Sequence, residues 1–232
     1  MEFRGKCSPF GVAREGVVNK NLIRWIRSED QGGKFMEIQS AINTMKNYDL
    51  EGFRAINDLV PKLKPINSFM RIVARYGPLL FLGPLGLTYL FSKRYTSENH
   101  RQKLSQALVG VAFVYAFIPA LQRVIGRPRP YFSHSGVHRL DPVHHIPAFP
   151  SGHATLSFTV ARAFRGEPLI LRIPTYILAA IISFGRVYSG EHYPVDVLTG
   201  ATIGLEIETL VERNWDTIED RIESAANSVG LG

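Results

Sequence analysis

The chain is poor in cysteine, and Cys7 is its only one. An internal disulfide is therefore excluded, and cysteine usage says nothing about the redox compartment. No repeat of 20–50 residues and no low-complexity segment interrupts the sequence, so solenoid and array architectures do not apply. The first 35 residues are polar and mixed in charge, and they lack the continuous apolar core of a signal peptide. The net charge is +7 and the sequence pI about 9.6. A basic balance can mean nucleic acid, but here Lys and Arg are scattered around apolar runs instead of gathering on one helix face. That pattern argues against a nucleic-acid partner and for anionic lipid or membrane topology.

What the chain has is apolar runs. Residues 76–92 and 104–122 carry no charge, and both approach the roughly 20 residues needed to cross a bilayer. Gly77, Pro78, Gly83 and Pro84 would break a helix in water, whereas membrane helices tolerate them. Three further stretches follow: Ser151 to about Phe164, Pro168 to Gly185 with Arg172 near one end, and Pro194 to about Val211. The last contains Gly200 and Gly204, a Gly-x-x-x-Gly pair that permits close helix contact. The expected fold class is all-α, a polytopic membrane helix bundle of about five transmembrane helices. The bundle is expected over residues 76–212.

The flanks read differently. Gln31-Gly32-Gly33-Lys34-Phe35 before Met36 back-translates to a bacterial ribosome-binding site and start codon. Residues 1–35 are therefore either an over-extended gene assignment or a flexible N-terminal arm. Residues 36–75 are expected to hold amphipathic interfacial helices. In 50–64, Phe53, Ile56, Leu59, Val60 and Leu63 fall on one helical face, with Pro61 and Pro65 cutting it short. Residues 213–232 are an amphipathic cytoplasmic tail, with Trp215, Ile218 and Ile222 along one face. Lys93, Arg94, Arg101 and Lys103 lie between the first two spans, and Arg162, Arg165 and Arg172 between the third and fourth. The positive-inside rule puts both groups in the cytoplasm.

The chemistry is carried by three short stretches, all on the opposite, outer side. Pro150-Ser151-Gly152-His153 reads as a helix start, with Ser151 as N-cap and His153 in the first turn. Such a start offers unpaired backbone N–H groups and a positive dipole end to a phosphate. Arg186, His192 and Asp196 are spaced Arg-x5-His-x3-Asp, with Pro194 suited to the first position of another helix. A carboxylate one turn from His192 can hold one ring nitrogen and leave the other as nucleophile or base. Arg129 adds a further cation. The loop 131–149 holds His134, His138, His144 and His145, which read as a titratable lid or, less naturally in a loop without cysteine, as a metal site.

Arg129-Pro130, Pro150-Ser151-Gly152-His153 and Arg186-x5-His192-x3-Asp196 resemble the three-part signature of the type 2 phosphatidic acid phosphatase/haloperoxidase superfamily. The resemblance covers about residues 76–212. It implies that Arg129, Arg186, Ser151 and Gly152 hold the phosphoryl group and that His192 is the nucleophile. It further implies that Asp196 orients His192, that His153 is the general acid and base, and that no metal or other cofactor is needed. Two positions depart from the signature. Gln122 stands where the family has Lys, leaving Arg123 and Arg127 as candidates for the missing charge. Gly185 stands where the family often has Ser. The implied activity is a lipid phosphatase of the cell membrane acting at the outer leaflet.

Within the superfamily the arrangement looks most like the bacterial undecaprenyl-diphosphate phosphatases of the bacitracin-resistance type, although those commonly carry Asp in place of Gly152. The runner-up substrates are phosphatidate and phosphatidylglycerophosphate, and a lipid A phosphate stays open. The alternative of another class is a non-catalytic lipid-phosphate binder or transporter, favoured only by Gln122. Intact His153, His192 and Asp196 argue against it, because binding alone needs no nucleophile. A vanadate-dependent haloperoxidase would share the pocket but not the membrane spans. Nothing in the sequence fixes the oligomeric state.

Overall fold

A computed structural model describes residues 29–95, 98–166 and 168–228. The expectation for the N-terminal extension therefore lies mostly outside the described residues. Two compact units divide the chain, one ending at Asn47 and the other starting at Tyr48. In the first unit, the helical residues Met36, Ile38 and Met45 are exposed.

The described regular structure is helical: α1 (Glu29–Asn57), α2 (Lys64–Tyr95), α3 (Glu98–Ile125), α4 (Pro130–Ser133), α5 (Gly152–Ala163), α6 (Leu169–Tyr188), α7 (Pro194–Arg213) and α8 (Trp215–Ser228). The second unit is a bundle with α5 at its centre, packed on α3, α6 and α7. Its core joins Val73 and Phe81 of α2, Leu104, Val111 and Ile118 of α3, Leu156 and Val160 of α5, Ile182 of α6 and Ile207 of α7.

The α5–α7 contact depends on the two spaced glycines. A Cβ on Gly200 would lie 2.6 Å from the Ser151 carbonyl oxygen, and one on Gly204 would collide with the Thr155 carbonyl. Close approach lets the Thr159 hydroxyl donate to the Gly204 carbonyl at 3.1 Å. The interhelical contact is thus backbone against backbone, which suits a bundle whose lipid surroundings give no hydrophobic drive between helices.

Residues 50–64 differ from the sequence expectation. The helix stops at Asn57, because Pro61 lacks an N–H and its ring would strike the carbonyl four residues earlier. Turns follow to Leu63, and Pro65 sits harmlessly in the first turn of α2. Phe53 and Asn57 are 1% exposed. The apolar face of this segment therefore packs inside its own unit, against Tyr193 and Val197 among others.

The stretch Arg101–Ser133 is long and apolar enough to cross a bilayer by length and composition. Helix α5 has 12 residues, about 18 Å of rise, and α7 carries Asp196, Glu206 and Glu208.

Candidate active site

Two turns build the site. At the first, Pro150 follows a cis peptide bond from Phe149. Ser151 is the N-cap of α5, fully buried, its hydroxyl accepting from the Ala154 N–H. Gln122, buried in α3, donates from Nε2 to the Pro150 carbonyl at 2.8 Å and so ties this turn to α3. At the second, α6 ends at Tyr188 and the chain reverses through Gly190, whose φ of +81° favours glycine. A Cβ there would lie 2.8 Å from the His138 carbonyl oxygen. The N–H groups of Glu191 and His192 then both donate to the Arg186 carbonyl, at 3.0 and 3.2 Å. Arg186 and His192 therefore ride on one tight turn, and their five-residue spacing is the length of that turn.

A cavity of about 220 Å³ lies between these turns and α3. Its polar end is made by Arg129, Gln122, His144, Gly152, His153, Arg186 and His192; Val114, Ile118, Pro119, Leu156 and the half-exposed Tyr115 form an apolar wall. Arg129 reaches the cavity with its Nε donating to the Ile146 carbonyl at 2.8 Å. Its Nη1 donates to Glu191 Oε2 at 2.6 Å and lies 3.4 Å from His192 Nε2. Arg186 Nη1 donates to the Ala74 carbonyl at 2.6 Å. Arg186 Nε is buried and has no hydrogen-bond partner. An orphaned guanidinium donor at the wall of a cavity is a group that an anion would satisfy.

The His192 tautomer follows from its neighbours. Arginine only donates, so the ring nitrogen facing Arg129, Nε2, presents a lone pair. The other nitrogen, Nδ1, then carries the proton, 3.6 Å from Asp196 Oδ2. Burial, and after it the Arg129 and Arg186 charges, hold the imidazole well below the usual histidine range, with the Ala148 backbone opposing. The ring is therefore neutral at pH 7, with Nε2 unprotonated and turned to the cationic end of the cavity.

Asp196 is fixed from two sides. Its Oδ2 accepts from the Tyr193 N–H at 2.9 Å, capping α7, and its Oδ1 accepts from Arg127 Nη1 at 2.5 Å. Arg127 also donates from Nη2 to Asp49 Oδ2 at 2.5 Å and lies 4.1 Å over the Tyr193 ring. Asp49 in turn accepts the Val195 N–H at 2.9 Å, a second cap on the α7 N-terminus. Arg127 thus braces Asp196 from behind and does not line the cavity. Arg123 does not reach it either: it is exposed and donates back to the Pro119 carbonyl at 3.3 Å. Ser151 stands behind the cavity wall as a cap, whereas Gly152 is part of the wall. A Cβ on Gly152 would sit 3.6 Å from Ile118 and 4.0 Å from Gln122 Nε2, in ordinary contact. A Cβ on Gly185 would likewise fit, 3.5 Å from Val73.

Several residues of this constellation carry no motif. Glu191 is fully buried between Arg129 and Arg186, and Asp141 lies 3.5 Å from Arg186 Nη1. Asn57 clamps the outer loop to the α6 end: its Nδ2 donates to the His138 and Tyr188 carbonyls at 2.7 and 2.9 Å, and its Oδ1 accepts the His138 N–H at 2.8 Å. A signal existed only for Glu191, an acid wedged into the third motif between two apolar helices. The four loop histidines part company. His144 lines the cavity, and burial, then the Arg129 and Arg186 charges against Glu191 and Asp141, lowers its pKa. His134 meets the Tyr193 ring edge-on at 6.1 Å, and His145 stacks on Phe132 at 6.2 Å. Among the described residues no three His, Cys, Asp or Glu side chains come together as a metal site.

Two buried arginines, three histidines and an apolar wall meet in one cavity of a helical bundle, a set of groups suited to a lipid phosphate. Residues 103–217 match the PAP2 superfamily, and the chain belongs to that superfamily. Over 180 residues it is 28% identical to the undecaprenyl-diphosphatase BcrC of Bacillus subtilis (strain 168), covering 76% of this chain and 88% of that protein. The crystal structure of Aquifex aeolicus LpxE superposes with a TM-score of 0.61 at 28% identity, covering 71% of this chain and 94% of that one. A second structure, the transmembrane PAP2-type phosphatidylglycerolphosphate phosphatase of Bacillus subtilis, shares the fold at 22% identity. Its TM-score is 0.57, over 79% of this chain and 93% of that one.

Proposed function

We propose that the protein hydrolyses undecaprenyl diphosphate to undecaprenyl phosphate at the outer leaflet, through a phosphohistidine on His192. One observation carries the phosphate assignment: Arg186, whose buried Nε has no hydrogen-bond partner, lines the same cavity as Arg129, His153 and His192. The apolar wall of that cavity, Val114 to Pro119 of α3 with Leu156 of α5, suits a lipid chain lying beside its own head group. The 28% identity to an undecaprenyl-diphosphatase supports the choice of head group and carrier.

Arg129, Arg186 and the Gly152 N–H grip the terminal phosphoryl oxygens, where charge develops in the transition state. His192 Nε2 attacks the terminal phosphorus and the bond to the bridging oxygen breaks. His153 gives that oxygen its proton as polyprenyl phosphate leaves. The charge that appears on the imidazole is held by Asp196 through the Nδ1 proton. Water then attacks the phosphohistidine with its proton passing to His153, and inorganic phosphate departs. One diphosphate and one water become one monophosphate and one phosphate. The arginines supply the electrostatics, so the reaction is metal-independent. The chain crosses the membrane several times, with the loop charges at 101–103 and 162–172 inside and the cavity outside.

Phosphate release from a panel of undecaprenyl diphosphate, phosphatidate and phosphatidylglycerophosphate, in detergent with EDTA, tests this reading. Undecaprenyl diphosphate should turn over fastest. A clear preference for either glycerolipid would replace the carrier assignment, and no release from any would favour a binder.

A further inference from the structure

The two arginines of the phosphate site are backed by charge of the opposite sign. Glu191 Oε2 accepts from Arg129 Nη1 at 2.6 Å and lies 3.5 Å from Arg186 Nη2, so one carboxylate oxygen is shared by both guanidinium groups. Asp141 Oδ2 flanks Arg186 from the other side at 3.5 Å. The formal charges of these four side chains cancel. Glu191 is 0% exposed, its Oε1 has no partner, and it lies behind the arginines and not on the cavity wall. A buried carboxylate with an orphaned oxygen is a poor way to stabilise a fold, because its desolvation is only partly offset. Packing alone does not account for it.

We propose that Glu191 is a positioning residue that also sets the charge of the phosphate site. Its shared oxygen ties the Arg129 and Arg186 guanidinium groups to one point and so sets their spacing. Its charge damps the arginines so that product phosphate leaves. An undamped pair of buried arginines would hold a phosphate dianion strongly, since Coulomb terms between charges a few ångströms apart are large in a partly desolvated site. Tight binding of substrate and product alike would not speed turnover. This inference rests on the assignment of Arg129 and Arg186 as phosphate ligands.

The test uses Glu191→Gln in the full-length protein in detergent. The amide oxygen can still accept from Arg129, but the charge is gone. Inorganic phosphate and vanadate should inhibit about tenfold more tightly than in wild type, about 1.4 kcal/mol. KM and kcat should fall together as product release slows, and added salt should shrink the difference. If the variant turns over too slowly to assay, the upward shift of its melting temperature with phosphate should still exceed that of wild type. Glu191→Asp keeps the charge but retracts the oxygen. It should leave phosphate inhibition within about threefold of wild type while lowering kcat. Unchanged or weaker phosphate binding by Glu191→Gln, beside a wild type that releases and binds phosphate, overturns the role of Glu191 alone. A wild type that neither releases nor binds phosphate overturns the phosphate-site assignment, and the role of Glu191 with it.

Discussion

Asp49 belongs to no motif and lies 78 residues before its partner Arg127, yet it holds up the α7 N-terminus. Asp49→Ala removes two interactions. The first is the acceptor for the Val195 N–H, a helix cap of a kind that contributes about 1 kcal/mol. The second is one of the two carboxylates on Arg127. A fully buried pair broken on one side costs about 3–5 kcal/mol, but the Arg127 side chain is 26% exposed and keeps Asp196, so about 1–2 kcal/mol is reasonable here. The expected loss is about 2–3 kcal/mol, or about 5–10 °C in melting temperature for a chain of this size. Asp49→Asn keeps an oxygen for the Val195 N–H and should lose about half as much. Both variants leave Arg127 to Asp196 alone, which draws that carboxylate from the His192 Nδ1 proton. We expect kcat to drop about tenfold in each. Thermal unfolding in detergent, followed by the buried Trp215, and initial rates of phosphate release measure the two effects. Melting within about 2 °C of wild type together with wild-type kcat in Asp49→Ala would refute the bracing role of Arg127 and Asp49.

Other perturbations read other parts of the account. Because His192 is held neutral by burial and by two arginines, its lowered pKa means the native state binds fewer protons than the unfolded chain. Stability should therefore be complete above the ordinary histidine pKa of about 6.5 and decline as pH falls below it, visible in a pH series of melting curves. Gly204→Val would drive a branched side chain into the Thr155 backbone, and should lower the yield of folded protein more than Gly185→Ala, whose Cβ has room. Activity should survive EDTA and be inhibited by vanadate; a complete loss in EDTA restored by Mg²⁺ would contradict the metal-free mechanism. With Cys7 removed, a cysteine at Ser135 should react with an impermeant thiol reagent in intact cells, and one at Gln102 only after permeabilisation. The reverse pattern would put the cavity in the cytoplasm.

The parts legible in the sequence were those fixed by local geometry. Arg186 and His192 lie together because Gly190 closes one turn, and His192 and Asp196 because Pro194 opens a helix; both relations are written in consecutive residues. The Gly200–Gly204 pair likewise foretold a close helix contact without naming α5 as the partner. What stayed hidden depends on distant segments meeting. Arg127 read as a spare phosphate ligand because Asp49 and Asp196, 78 and 69 residues away, are needed to see that it is engaged. Gln122 read as a lost charge, whereas its amide ties down the Pro150 turn from 28 residues away. The periodic apolar face of residues 50–64 was visible, but not the partner that buries it. Phe53 packs against Tyr193, with ring centroids 5.5 Å apart.

The central claim is that His192 carries the phosphoryl group. Wild-type protein mixed with undecaprenyl diphosphate labelled in its terminal phosphate, then quenched in alkali within milliseconds, should hold label on the protein. That label should be stable to base and lost in acid, as a phosphoramidate is, and it should be absent from His192→Ala. Label that persists in His192→Ala, or wild-type turnover by that variant, would contradict the account.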